Sequence, residues 1–167
     1  MGIAISDMLK DERVGIMANQ VEPKLIEPLL NELQKEKFVT LATIDHETGG
    51  PNVSAISWVI AKDESTIYFS VDNRSRIVQN ISQNNKIVLN VIANESTYSI
   101  SGQAAVKEEK LSGVPLKLAL IELKINEVRD VMFYGSKITV EPQYDKTYDK
   151  DAAARLDKQV MDAMKKA

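Results

Sequence analysis

The chain has no cysteine. That excludes disulfides, thiolate metal sites and a cysteine nucleophile together. It has one histidine, His46, and one tryptophan, Trp58. With a single imidazole and no thiolate, a metal would have to rely on carboxylates, and no paired-carboxylate motif stands out. A serine hydrolase is not expected, because the G-x-S-x-G turn that would expose a nucleophilic serine is missing. Long apolar runs are missing too. No stretch approaches the ~20 residues of a membrane span, and the start, "MGIAISDMLKDER", meets charge by Lys10 and does not read as a secretory leader. "MGIAIS" matches the loose myristoylation pattern at Gly2 and Ser6, too short a match to carry an anchor. There is no cationic excess either: 21 Lys and Arg stand against 24 Asp and Glu, a net charge of −3. General nucleic-acid binding is therefore not expected, and any positive site must be local. The expectation is a cytoplasmic protein that engages neither membrane nor nucleic acid.

What is present is an ordinary globular composition, 44% hydrophobic and 27% charged over 167 residues, which suits one domain. Apolar residues at Leu25, Ile26, Leu29, Leu30 and Leu33 have helical spacing, and Pro28 places the helix start near it, giving a helix over 27–36. The period then changes. "FVTLATI" (38–44), "NVSAISWVIA" (52–61) and "TIYFSV" (66–71) read as three strands joined by the short polar loops "DHETGGP" and "KDES", an antiparallel meander. A short helix follows at "SRIVQNISQNN", then strands at 86–93 and 96–106, the latter interrupted by Gly102, which suggests a bend or a close backbone approach. "LKLALIELKINEVRDV" is ambiguous at its start and alternates as a strand later, and "YGSKITVEP" reads as a turn into a last strand. Leu156, Val160 and Met164 mark an amphipathic C-terminal helix capped by Asp149 or Asp151. The expected domain is a single unit over 1–167, with an N-terminal helical segment 1–37, a small antiparallel barrel 38–143 and a helix 149–166.

The stretch "SVDNRSRIVQNI" (70–81) concentrates possible chemistry. It places Arg74, Ser75 and Arg76 at a strand-to-helix junction. Helix N-termini offer free amides and partial positive charge, and arginine suits phosphate geometry, so the three residues form a candidate phosphate cradle. The bland alternative is a helix capped by Ser75 and flanked by two solvated arginines. His46 is expected to be an exposed turn residue, because no regular element orients it. Trp58 either lines a ring-binding pocket or packs in a core or interface. Ser54 and Ser57 are small polar residues on the same strand.

The order "KFVTLATID", "GGPNVSAISWVIAKD", "TIYFSVDNRSRIVQNISQNNKIVLNVI" and "SISGQAAV" resembles the pyridoxamine 5'-phosphate oxidase-like family of FMN-binding split barrels over roughly residues 27–106. The resemblance implies a mainly β fold, an antiparallel six-stranded split barrel with flanking helices. It implies a homodimer with FMN in a cleft at the subunit interface. It also implies that Ala55, Ile56, Ser57 and Trp58 run beside the isoalloxazine ring, that Ser70 and Val71 approach the ribityl chain and phosphate, that Arg74, Ser75 and Arg76 hold the phosphate, and that Thr97 meets the ring edge. The family often has lysine after the phosphate-binding arginine; here Arg76 is followed by Ile77, with Arg74 as the substitute cation. "YGSKITVEPQYDKTYDKDAAARL" does not match the basic, aromatic C-terminal segment of the true oxidases, so pyridoxamine phosphate oxidation is not expected. The leading expectation is a flavoprotein oxidoreductase acting on an unidentified small molecule, with no acid or base assigned. The alternatives are a non-catalytic flavin or haem carrier or sensor on the same barrel, in which His46 is the sole candidate axial histidine, and an interaction domain with an empty cleft.

Overall fold

A computed structural model describes residues 20–167; the part of the expected N-terminal helical segment before residue 20 lies outside them. Eight strands and three helices follow in the order β1 (Val21–Glu22), α1 (Glu27–Glu32), β2 (Val39–Ile44), β3 (Pro51–Ile56), β4 (Val59–Asp63), β5 (Thr66–Asp72), α2 (Arg76–Gln83), β6 (Lys86–Ala93), β7 (Ser96–Glu108), β8 (Leu118–Asp130) and α3 (Lys150–Lys166). The strands form one antiparallel sheet in the order β3-β2-β6-β7-β8-β5-β4, and β1 pairs with β8. The two ends of this sheet, β3 and β4, are successive pieces of chain. The barrel is therefore closed by a covalent corner at Ser57–Trp58 rather than by a ladder, which makes it a split barrel.

That corner corrects the single strand 52–61. The Val59 amide donates to the carbonyl of Ser57, a γ-type reversal, and the Lys37 amide donates to the same oxygen. The expected meander thus becomes two hairpins, β2–β3 and β4–β5, on opposite edges of the sheet. α1 stops at Glu32 rather than 36, with Pro28 in its first turn as its missing amide requires. β1 places a short strand inside the segment expected to be helical. No strand forms at 135–142, so the regular barrel ends at Asp130.

Two apolar clusters explain the rest. The barrel interior holds Leu41, Phe69, Leu89, Ile100 and Leu123, all at most 1% exposed. Leu29 of α1, Leu33 just after it and Ile81 of α2 join it. A second cluster joins Ile60, Tyr68, Leu118 and Leu120 to Val160, Met161 and Met164 of α3. β4, β5 and the first half of β8 are therefore covered on both faces, by the interior and by α3. α3 is capped as expected by Asp149, whose carboxylate accepts from the Ala152 amide at 2.9 Å. At its other end the Lys62 ammonium donates to the carbonyls of Lys165 and Ala167 at 2.8 and 2.9 Å, a cation at the negative end of the helix dipole. Gly102 sits at a β7 bulge opposite β8; a Cβ there would lie 2.0 Å from the Lys124 carbonyl oxygen, which is the close approach the sequence suggested.

Candidate functional site

The β5–α2 corner is built by three carboxylates and two arginines. Asp45 closes the β2–β3 loop: its Oδ2 accepts from the amides of Glu47 and Thr48 at 3.1 and 2.8 Å, and Gly49 completes the turn at φ +73°. The Asp45 side chain is 2% exposed, and Arg76 Nε donates to its Oδ1 at 2.5 Å. The Arg76 guanidinium and then the Thr48 amide hold the Asp45 carboxyl well below the usual carboxylate range. Arg76 also reaches Glu47 at 3.4 Å, yet its side chain is half exposed. Arg74 turns back onto Asp72, whose Oδ1 accepts from the Arg74 amide at 2.8 Å, and its side chain is 82% exposed. The substitute cation thus lies in solvent beside its own carboxylate.

Ser75 occupies the N-cap position of α2, but its hydroxyl makes no bond to the helix and is buried without a partner. The first amides of α2 therefore lack a side-chain acceptor. Ser70 Oγ, on a residue 3% exposed, is likewise buried and unpartnered. Ser70 and Val71 point to opposite faces of β5: Val71 enters the barrel interior, while Ser70 stands with Tyr68 on the face toward α3.

Asn80 of α2, only 1% exposed, ties the corner to the loop. Its Nδ2 donates to Thr43 Oγ1 and Asn52 Oδ1, both at 3.0 Å. Its Oδ1 accepts from the His46 amide at 2.9 Å and lies 2.8 Å from His46 Nδ1. This arrangement assigns the ring proton to Nδ1 and leaves Nε2 as the lone-pair nitrogen, 3.5 Å from Glu47. The His46 side chain is 20% exposed, which corrects the expectation of an unoriented turn residue. Asn80 carried no sequence signal beyond a polar residue on the apolar side of a short helix.

The positions assigned to the ring separate into two groups. Ala55 pairs with Thr40, Thr40 with Asn90, and the Asn90 amide donates to Thr97 Oγ1 at 2.7 Å. Ala55 and Thr97 therefore share one outer sheet face. Ile56 packs against the interior cluster. Ser57 and Trp58 form the corner described above; Trp58 Nε1 donates to Asp157 of α3 at 2.8 Å, and its ring borders the second cluster. Packing, rather than an open ring pocket, is what the structure gives Trp58. From Thr40 to Asp45 along β2 the ring-side row and the arginine corner are roughly 17 Å apart. One ligand touching both must be long.

The model of the pyridoxamine 5'-phosphate oxidase family matches residues 25–132. The chain belongs to that family. No curated protein sequence matches it. Among solved structures, it is similar to a protein assigned as a pyridoxamine 5'-phosphate oxidase from Lactobacillus delbrueckii (22% identity, 67% of this chain and 98% of that one, TM-score 0.57). It is also similar to HupZ of Group A Streptococcus (16% identity, 67% and 98%, TM-score 0.54) and to an F420 reductase (18% identity, 60% and 95%, TM-score 0.51). At these identities the structural likenesses establish the split-barrel fold. Residues 133–167, including α3, lie beyond the family match.

Proposed function

We propose that this chain is an FMN-binding split-barrel protein with oxidoreductase chemistry on a small molecule, working as a homodimer with the cofactor between subunits. The observation that supports it most is the Ser75 hydroxyl, buried and unpartnered at the uncapped N-terminus of α2 beside Arg76. A phosphate there would receive the Ser75 hydroxyl, the first-turn amides of α2 and the outward donors of Arg76. Asp45 holds the Arg76 guanidinium in place while leaving half of its side chain exposed. The residues thus fit a phosphate group. Three carboxylates around two arginines keep the corner from being a strong cation, so discrimination rests on directed hydrogen bonds rather than on net charge. Bound flavin would supply hydride or electron transfer, and the protein would supply position and shielding.

The separation of the site supports the dimer reading. The outer face of β3, β2 and β6 carries Val53, which is 70% exposed, with Ala55, Ala42 and Val88. This row of small and apolar side chains suits a second copy, which would bring its own residues to the ring side. F420 reductase among the structural relatives makes a deazaflavin a competing occupant.

The second reading, a haem carrier or sensor, rests on His46. Its Nδ1–H is fixed on Asn80, so Nε2 presents the lone pair an axial ligand needs. One experiment separates the readings: absorbance spectra of the purified protein with FMN, deazaflavin or hemin. A yellow complex that releases FMN on denaturation, unaffected by His46→Ala, supports the first reading. A Soret band abolished by His46→Ala supports the second. Colourless protein that takes up none of the three overturns both.

A further inference from the structure

The residues beyond the family match do more than decorate the barrel. The segment 141–146 folds back across the connection between α1 and β2, residues 36–38. The Tyr144 hydroxyl donates to Glu36 Oε1 at 2.5 Å, and its ring lies 6.2 Å from that of Phe38. The Lys37 ammonium pairs with Glu141 at 2.9 Å. Lys146 bridges Glu36 at 3.0 Å and Asp157 of α3 at 3.1 Å, and all three side chains are at most 26% exposed. Asp157 in turn accepts from Trp58 Nε1, and Ser57 lies beside the Tyr144 phenol. Burial disfavours the charged form of Asp157, but the Trp58 and Lys146 bonds outweigh it and hold the carboxyl below its ordinary value. Two carboxylates are therefore kept together by one ammonium. Glu36 Oε2 is buried with no partner at all. The network thus carries one unsatisfied buried oxygen, which lowers the net stability of the closed arrangement.

We infer that this C-terminal strap is a gate on the ring end of the cofactor cleft, latched by Lys146 between Glu36 and Asp157 and seated on the Ser57–Trp58 corner. The inference rests on the flavin reading above, since Ser57 and Trp58 are two of the four positions that reading places beside the ring. With the latch closed, the corner is occupied by protein and the rings enter and leave slowly. With Lys146 removed, Glu36 and Asp157 repel, the strap lifts and the corner opens.

Trp58, the only tryptophan of the chain, reports on the latch without any cofactor. The test compares full-length wild type, Lys146→Met and the control Lys158→Met, which removes only an exposed pair with Asp162 on α3. Two signals are read: acrylamide quenching and emission maximum of Trp58 in the cofactor-free protein, and the stopped-flow rate of FMN uptake. The gate predicts a red-shifted, more readily quenched Trp58 and uptake faster by about tenfold in Lys146→Met, a change of ~1.4 kcal/mol in the opening equilibrium, with Lys158→Met like wild type. If Lys146→Met fails to fold by circular dichroism, Tyr144→Phe, which removes the phenol's bond to Glu36 and its contact with Ser57, replaces it with the same expected directions. An unchanged Trp58, or a freed Trp58 with unchanged FMN uptake, overturns the gate. If Trp58 is freed but no variant, wild type included, takes up FMN, the flavin reading fails and the gate falls with it. FMN uptake by the wild type tells that failure from a failure of the gate alone.

Discussion

Replacing Asn80 with alanine would test how the corner is held. The side chain makes four hydrogen bonds, two donated by Nδ2 and two accepted by Oδ1. Asn52 and the His46 ring are partly exposed, so water can replace what they lose. Thr43, 3% exposed, has no such recourse, and the His46 backbone amide loses a part-buried acceptor. At about 1–3 kcal/mol for each buried polar group left unpaired, the loss sums to about 3 kcal/mol, a large share of a typical domain's stability. Urea unfolding followed by far-UV circular dichroism reads this as a midpoint lowered by roughly 1–2 M with an unchanged slope. Asn80→Asp keeps the acceptor for His46 but buries a charge opposite Asn52 Oδ1, and is expected to be no more stable than the alanine variant. Ser82→Ala, an exposed change on the same helix, serves as the near-neutral control. An Asn80→Ala protein within about 0.5 kcal/mol of wild type would refute the idea that Asn80 fastens α2 to the β2–β3 loop.

Other perturbations follow from the same contacts. Gly102→Ala puts a methyl 2.0 Å from the Lys124 carbonyl oxygen and must move backbone, so a loss of about 1–3 kcal/mol is expected in the same urea assay. Asp45 titrates below its ordinary value of 3.8 in the folded state, so the folded protein binds its proton less readily than the unfolded chain. Its stabilising effect is therefore complete above that value and lost as pH falls through and below it: the midpoint difference between wild type and Asp45→Asn should be largest near pH 7 and shrink toward about pH 3. Lys62→Met removes the cation at the end of α3 and is expected to lower the melting temperature, by an amount equivalent to about 1 kcal/mol, without altering FMN affinity.

How far the sequence could be read depends on how many faces of each element are buried. β6 and β7 have one face in the barrel and one outside, so "KIVLNVIA" and "STYSISGQAAV" alternate and both strands were legible, although β7 runs on to Glu108 rather than ending at 106. The first half of β8 is sandwiched between the interior and α3, so Leu118–Leu123 lost the period of two and looked helical. The corner at Ser57–Trp58 was hidden because neither residue is a glycine or proline, and the local Val59 reversal is fixed by a tertiary bond from the Lys37 amide to the same Ser57 carbonyl. At the candidate site the sequence located the Ser75–Arg76 junction. It did not reveal that Asp45 would pair with Arg76, because the loop and the helix N-terminus meet only in three dimensions, nor that Arg74 would turn back onto its neighbour Asp72. His46 was misread for the same reason: its orientation comes from Asn80, 34 residues away.

The most direct measurement is a pair of titrations, FMN against riboflavin, followed by quenching of flavin fluorescence, on wild type and on Arg76→Ala. Phosphate capture at the α2 N-terminus predicts that wild type binds FMN at least about tenfold more tightly than riboflavin and that Arg76→Ala loses most of that difference. Equal affinity for the two flavins in wild type, or a preference for FMN that Arg76→Ala leaves intact, would contradict it.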